Sequence, residues 1–336
     1  MDSLRIVNKR KKYFTVKNKT RRNSSLSYKK KYSLSINKKL VSFRETEVED
    51  INVCNLRKAF RYEEKLKYKL KKCYPYDNKI VKEYLLKRIK NNIHISKIIA
   101  PKQIDGNCWF NAMFMMFFVS DKGRIFFHYL RELMIKGETL STVIHDTQMK
   151  NAMALLNFIV ECCLSGNPLA HSLNTNAIIK KIHVLAKEKQ IKVPKEGEPG
   201  NPIYYYQSLI QYLGNSELKV EVWNHLKTIT DPPHIIILEN YHEHKRKHFT
   251  INGYTYELDS ATVMDNNREH FCSTLTCNGE EFVFDGYSKS RLIPFHWKSR
   301  INENVNWWFK DYIYDFETET KWNFAIGYSL LCYYRV

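Results

Sequence analysis

The stretch Gln103-Ile104-Asp105-Gly106-Asn107-Cys108-Trp109-Phe110-Asn111-Ala112 runs directly into an apolar segment, Met113-Phe114-Met115-Met116-Phe117-Phe118-Val119. A glycine-containing turn ahead of such a run predicts a buried helix with Cys108 in its first turn. That placement suits a nucleophile. Unpaired N–H groups and the positive end of the dipole at a helix N-terminus stabilise a thiolate. Gln103, five residues upstream, carries an amide able to donate to the oxyanion formed when a thiolate attacks a carbonyl. The competing reading is a cysteine that only packs, as a small hydrophobe would.

Upstream, residues 1–44 hold 15 Lys/Arg against the single acid Asp2, which is 14 of the chain's net charge of +19. With no sustained period, this arm cannot bury enough surface to offset its ordering entropy, and disorder is expected over 1–48. Its charge suits a nucleic acid, an acidic surface or nuclear import; a solubilising tail is the plainer alternative. Helical patterns follow over 55–72 and from Asn78 to Ile93, defining a helical segment over 49–97. Residues 98–101 then lead extended into the cysteine turn.

Downstream, helical spacing recurs over Arg124–Ile135, Met149–Leu164 and Tyr204–Leu213, with Cys162 and Cys163 as core residues. Beyond residue 230 the pattern changes. His234–Glu239 is a β-branched run typical of a buried strand, and Phe249–Tyr256 forms a strand–turn–strand around Asn252-Gly253. His270–Thr276 and Glu281–Phe284 flank Asn278-Gly279 as a hairpin, and Tyr328–Tyr334 closes the set. Helices first and strands after indicate an α+β fold. Eight cysteines in 336 residues make no disulfide framework, and no secretory leader precedes them, so an intracellular, reducing setting is expected. No run reaches membrane-spanning length, and no membrane partner is expected.

A thiolate needs a base and the base needs an orienting group. His270 begins a strand, and Asp285 ends its hairpin partner, where a carboxylate can hold the imidazole in one tautomer. His248 is the rival, but it belongs to His242-Glu243-His244-Lys245-Arg246-Lys247-His248, where three cations interleave with any metal ligands. Neither that cluster nor Cys272 with Cys277 matches a zinc spacing, so no metal or other cofactor is expected.

These residues resemble those of papain-like cysteine peptidases, and more narrowly of ubiquitin-specific proteases. In that family an oxyanion Asn stands five residues before the nucleophile of a Gly-Asn-Thr-Cys-aromatic box; here Gln103 stands at that offset and Gly106 to Ala112 follow the box one residue shorter. Tyr256-Glu257-Leu258-Asp259-Ser260-Ala261 is similar to the family strand before its Gly-His-Tyr, which here reads Glu269-His270-Phe271. The hairpin ends at Phe284-Asp285, and Gly327 to Arg335 is similar to the family's closing strand. The paired CxxC motifs and the Gln-Gln-Asp segment of the family are absent. The Asp105 to Phe110 run also resembles the cysteine box of ovarian-tumour-type deubiquitinases, although 66 residues follow His270 here.

Both resemblances imply a thiol isopeptidase with a papain-like domain over 98–336. Cys108 would be the nucleophile, His270 the base, Asp285 its orienter and Gln103 the oxyanion donor, acting on ubiquitin or ubiquitin-like conjugates. The Lys/Asn/Ile/Tyr-heavy composition with a basic arm also looks like proteins of large DNA viruses. The alternatives are therefore a maturation protease for viral polypeptides, or a basic virion protein binding nucleic acid on a degenerate peptidase scaffold. The setting would then be host cytoplasm, nucleus or virion.

Overall fold

The cysteine-bearing helix sits where its composition sends it. Every residue of Cys108–Phe118 is buried, as expected of a helix that is apolar on all sides. The structure, a computed structural model, describes residues 5–7, 13–15, 79–89, 93–172, 174–188, 202–214, 218–240, 244–267, 270–287, 290–309 and 320–336. The expected helix over 55–72, most of the basic arm and Glu269 lie outside the described residues.

Two three-residue strands come first, β1 (Arg5–Val7) and β2 (Tyr13–Thr15). The helices are α1 (Lys79–Arg88), α2 (Cys108–Phe118), α3 (Asp121–Lys136), α4 (Thr147–Ser165), α5 (Leu169–Ser172), α6 (Asn176–Glu188) and α7 (Pro202–Tyr212). Between α1 and α2 the chain forms a strap over 93–107, with a single 3₁₀ turn at Ile95–Lys97. The helix expected to reach Ile93 thus stops at Arg88. Caps set the later boundaries. The Ser120 hydroxyl accepts from the Gly123 N–H to start α3, the Asp146 carboxylate accepts from Met149 to start α4, and left-handed Gly137 and Gly166 end them.

The remaining strands are β3 (Leu218–Val222), β4 (Ile235–Asn240), β5 (His248–Ile251), β6 (Tyr254–Met264), β7 (Phe271–Cys277), β8 (Glu280–Phe284), β9 (Ile293–Pro294), β10 (Asn306–Trp308) and β11 (Ser329–Arg335). Eight of these make one sheet in the order β3-β4-β11-β6-β7-β8-β9, with β5 paired to β6. All its pairings are antiparallel except β3 with β4. The last strand, β11, fills the gap between β4 and β6. A second, small sheet joins β1 and β2 to β10. Helices and a mainly antiparallel sheet thus occupy separate parts of the chain, as the pattern predicted. Strand β3 was not anticipated, although Leu218, Val220 and Val222 alternate with Lys219 and Glu221.

Apolar side chains cover both faces of the sheet. Ile235, Ile237, Leu275, Leu330 and Cys332 join the core shared with the helices. Their neighbours Ile236, Leu238, Leu331 and Tyr333 point into a second core with Trp297, Trp307 and Trp322. Alternate residues on a strand face opposite sides, so a strand buried on both sides reads as an unbroken apolar run. Helix α2 lies on the first face, with Phe110 stacked on Tyr206 at 5.2 Å and Phe117 packed on Phe127 at 4.6 Å. This packing presses the start of α2 towards the end of the sheet where β7 begins and β8 ends.

Candidate active site

The bend before α2 is made by two consecutive residues with positive φ, Asp105 at 44° and Gly106 at 73°. A glycine tolerates that region at little cost, and Asp is among the few other residues that visit it. Asn107 then caps the helix in position only, because its side chain takes no N–H of the first turn. Its Oδ1 accepts instead from the Ile104 N–H at 2.9 Å, and its Nδ2 donates to Thr175 Oγ1 at 2.7 Å. Thr175 donates in turn to Asn111 Oδ1, and Asn111 Nδ2 donates to the Lys102 carbonyl. The turn is thereby clamped by buried side chains from beneath, and the dipole of α2 is left directed at Cys108.

Gln103 is buried on the same strap. Its N–H donates to the Gly286 carbonyl at 3.1 Å, and a Cβ at Gly286 would stand 3.1 Å from both the N and Cβ of Gln103. The residue after Asp285 is therefore in contact with the residue predicted to hold the oxyanion. Oε1 of Gln103 is buried with no hydrogen-bond partner among the described residues.

His270 immediately precedes β7. Its N–H donates to Asp265 Oδ1 at 2.8 Å, and its carbonyl accepts from the Asp265 N–H, which fixes the backbone. Its Nε2 lies 2.6 Å from Asp285 Oδ1, and both side chains are buried. Tyr287 packs at a tilt against the imidazole, ring centroids 4.7 Å apart, with Trp322 at 5.8 Å. Because Nε2 is engaged by Asp285, Nδ1 is the nitrogen left for Cys108. It is buried without a partner of full hydrogen-bond geometry, yet the Cys108 thiol is close enough to act on the ring. Catalytic hydrogen bonds are often loose before substrate arrives.

Electrostatics sort the candidates. Burial by itself lowers the pKa of His270, but the charge and hydrogen bond of Asp285, reinforced by Cys108, outweigh it and raise the value to about 10. The imidazolium is thus the stable form at neutral pH. Burial pushes the thiols of Cys162, Cys163, Cys272 and Cys332 upwards, and that of Cys277 to about 12. These are inert core thiols. His248 is exposed at the start of β5 and faces Glu257 on β6. Among the described residues no group of three or more His, Cys, Asp or Glu is placed to hold a metal; His242 and Glu243 lie outside them.

Of the four residues singled out from the sequence, His270 and Asp285 are in contact at the open end of the β7–β8 hairpin, Cys108 acts on the same imidazole from the start of α2, and Gln103 meets the hairpin through Gly286. Sequence reasoning gave no role to Asn107 or Asn111 and missed Thr175, Asp265, Gly286 and Tyr287. Only Gly286 carried a local signal, a glycine directly after the expected carboxylate.

No family profile matches this chain, and no curated protein matches it. Among solved structures, a chain of the SAGA DUB module of Ubp8, Sgf11, Sus1 and Sgf73 bound to monoubiquitin is similar at a TM-score of 0.43 and 9% identity, over 76% of this chain and 75% of that one. An essential yeast splicing factor aligns at 0.37 and 10% identity, over 74% and 72% of the two chains. A second SAGA DUB module aligns at 0.31 and 10%, over 76% and 73%. The chemistry is therefore read from the site's own geometry.

Proposed function

We propose that this protein is a papain-like thiol hydrolase that cleaves a peptide or isopeptide bond, with ubiquitin or a ubiquitin-like conjugate as substrate. The observation that carries the reading is the buried His270–Asp285 contact at 2.6 Å, on a ring whose pKa Cys108 helps to raise. Cysteine, imidazole and carboxylate in that order are the parts of an activated nucleophile.

The Cys108 sulfur, as a thiolate beside the His270 imidazolium, attacks the scissile carbonyl carbon. The carbonyl π pair moves to oxygen, and the Cys108 backbone N–H and the Gln103 amide hold the resulting oxyanion. As the tetrahedral adduct collapses, His270 gives its proton from Nδ1 to the leaving amine, which is a lysine ε-amine in an isopeptide. The acyl group remains as a thioester. Neutral His270 then takes a proton from water, the hydroxide attacks the thioester, and Cys108 leaves as thiolate while the imidazolium is restored. Asp285, bonded to Nε2, keeps Nδ1 turned to the sulfur throughout.

The substrate class rests on the resemblance of the boxes around Cys108, His270 and Asp285 to ubiquitin-specific proteases. A ubiquitin bearing a C-terminal electrophile tests both parts. A covalent adduct with the natural chain and none with Cys108→Ala is the expected result. If ubiquitin fails to react while iodoacetamide still alkylates Cys108 at neutral pH, the thiol serves another substrate. If neither reacts, the hydrolase reading is wrong.

A further inference from the structure

A cavity of about 270 Å³ opens between α1, the strap, α3 and the C-terminal end of α4. Its wall carries Arg88 from α1, Lys97 from the strap, Arg124 and Arg131 from α3, and one carboxylate, Glu161 from α4. Glu161 and Arg131 form the floor. Their side chains are only 4% exposed and hydrogen-bonded to each other, and Arg131 Nε also donates to Asn157 Oδ1 at 3.1 Å. Arg88, 9% exposed at its side chain, approaches the other oxygen of Glu161 at 3.8 Å. The same carboxylate thus faces two guanidinium groups.

Arg124 is held at the rim by the Val119 carbonyl at 2.8 Å and by Asp121 at 3.2 Å. Asp121 also accepts from the N–H groups of Asn278 and Gly279. Even with Asp121 counted, four permanent cations surround this space against two carboxylates. His94 and His128, which also border the cavity, add positive charge when protonated; Glu132 lies 3.2 Å from His128 on its own helix. Like charges gathered around a partly enclosed volume repel, and the repulsion is only weakly screened there. A counter-anion relieves it. Guanidinium forks match the geometry of phosphate oxygens, and the volume lies just below the usual range of roughly 300–1,000 Å³ for small-molecule sites, so the occupant is compact.

We propose that this cavity is a binding site for a phosphate-bearing anion of di- or triphosphate size, gripped by Arg88, Lys97 and Arg124 over the Arg131–Glu161 floor. Occupancy fastens α1 and the strap to α3 and α4. The strap is already tied down nearby, by the Ile99 N–H on the Cys163 carbonyl and by Arg291 on the Ser96 and Ile98 carbonyls. It continues without a break to Gln103 and Cys108. The site is independent of the chemistry proposed at Cys108.

The test is calorimetric titration of the full chain with inorganic pyrophosphate at constant ionic strength, compared with a Lys97→Gln/Arg124→Gln variant that alters only rim residues. Saturable binding, weakened at least tenfold in the variant and accompanied by a rise in Tm that the variant lacks, is the expected result. A parallel titration with ATP distinguishes free phosphate from phosphate carried on a nucleoside, and variant-sensitive binding of either supports the site. Binding undiminished in the variant assigns the anion to the basic arm and overturns the proposal. Absence of saturable binding by both anions overturns it as well.

Discussion

His270 and His248 each stand at the start of a strand of the same sheet, each followed by a phenylalanine, and apart from the basic run Lys245-Arg246-Lys247 ahead of His248 nothing in their immediate sequence separates them. Their surroundings do. His270 is buried, with Nε2 on Asp285 and a thiol beside the ring; His248 is exposed opposite Glu257, whose own partner is Lys122 at 2.8 Å. One histidine has been taken out of water and given a charge to compensate, while the other keeps its solvent. What separates them is burial and pairing.

The sharpest way to break this contrast is to remove each imidazole in turn. Turnover of the substrate identified by the ubiquitin probe is expected to fall roughly a thousandfold or more in His270→Ala, since a lone thiol loses both its base and its acid. His248→Ala is expected to stay within about twofold, as a solvated side chain outside the reacting group should. Comparable losses in both variants would dissolve the distinction.

Stability offers a second comparison. Asp285→Ala leaves a buried imidazole without its counter-charge, and urea unfolding is expected to register a loss of about 3 kcal/mol. Glu257→Gln removes one end of an exposed pair and is expected to cost less than about 1 kcal/mol. Equal costs would mean that the His270–Asp285 contact is no better isolated from water than the Lys122–Glu257 pair.

The pH dependence follows in sign. The ordinary histidine value is 6.5, and the folded chain raises that of His270 to about 10. The folded state therefore binds this proton more tightly than the unfolded state does. The stabilisation is fully present below about pH 6.5 and is lost progressively as pH rises towards about 10. Tm of the natural chain is expected to drop more steeply between pH 7 and 10 than Tm of His270→Gln. Buried Lys245, lowered by burial to about 8, acts in the opposite direction but is common to both proteins and cancels in the difference. Parallel curves would refute the raised pKa.

Much of this site was legible because its signals are local. The Asp105-Gly106 bend, the apolar run of α2 and the Asn278-Gly279 turn each state their conformation within a few residues. Strand–turn–strand spacing put His270 and Asp285 at the same open end of one hairpin, where their side chains meet. What stayed hidden depends on contacts across the chain. Thr175 lies in a polar loop whose sequence says nothing of Asn107 or Asn111, and Asp265 holds the His270 backbone from just past the end of β6. The pairing of β3 with β4 is parallel and joins segments separated by a 3₁₀ turn, so no hairpin signal marks it. The cationic cavity is likewise spread over α1, the strap, α3 and α4, and no window of sequence contains it.

The smallest expected effect probes the seam between the two halves of the site. Gly286→Ala sets a methyl 3.1 Å from Gln103, tighter than ordinary packing, so the strap must yield by a few tenths of an ångström. A displacement near 1 Å at a catalytic group can cost about a hundredfold; a shift of this size is expected to lower kcat by roughly threefold, with KM little changed because the substrate-binding surface elsewhere is untouched. The matching change on the His248 side is Gly253→Ala, in the β5–β6 turn, where a Cβ meets nothing within 4 Å but φ is +84°. That substitution strains the backbone by about 1 kcal/mol and is expected to lower Tm while leaving kcat unchanged. A kcat loss at Gly253 equal to that at Gly286 would mean that general loosening of the sheet sets turnover. A loss confined to Gly286 would tie it to the position of Gln103, and so to the oxyanion.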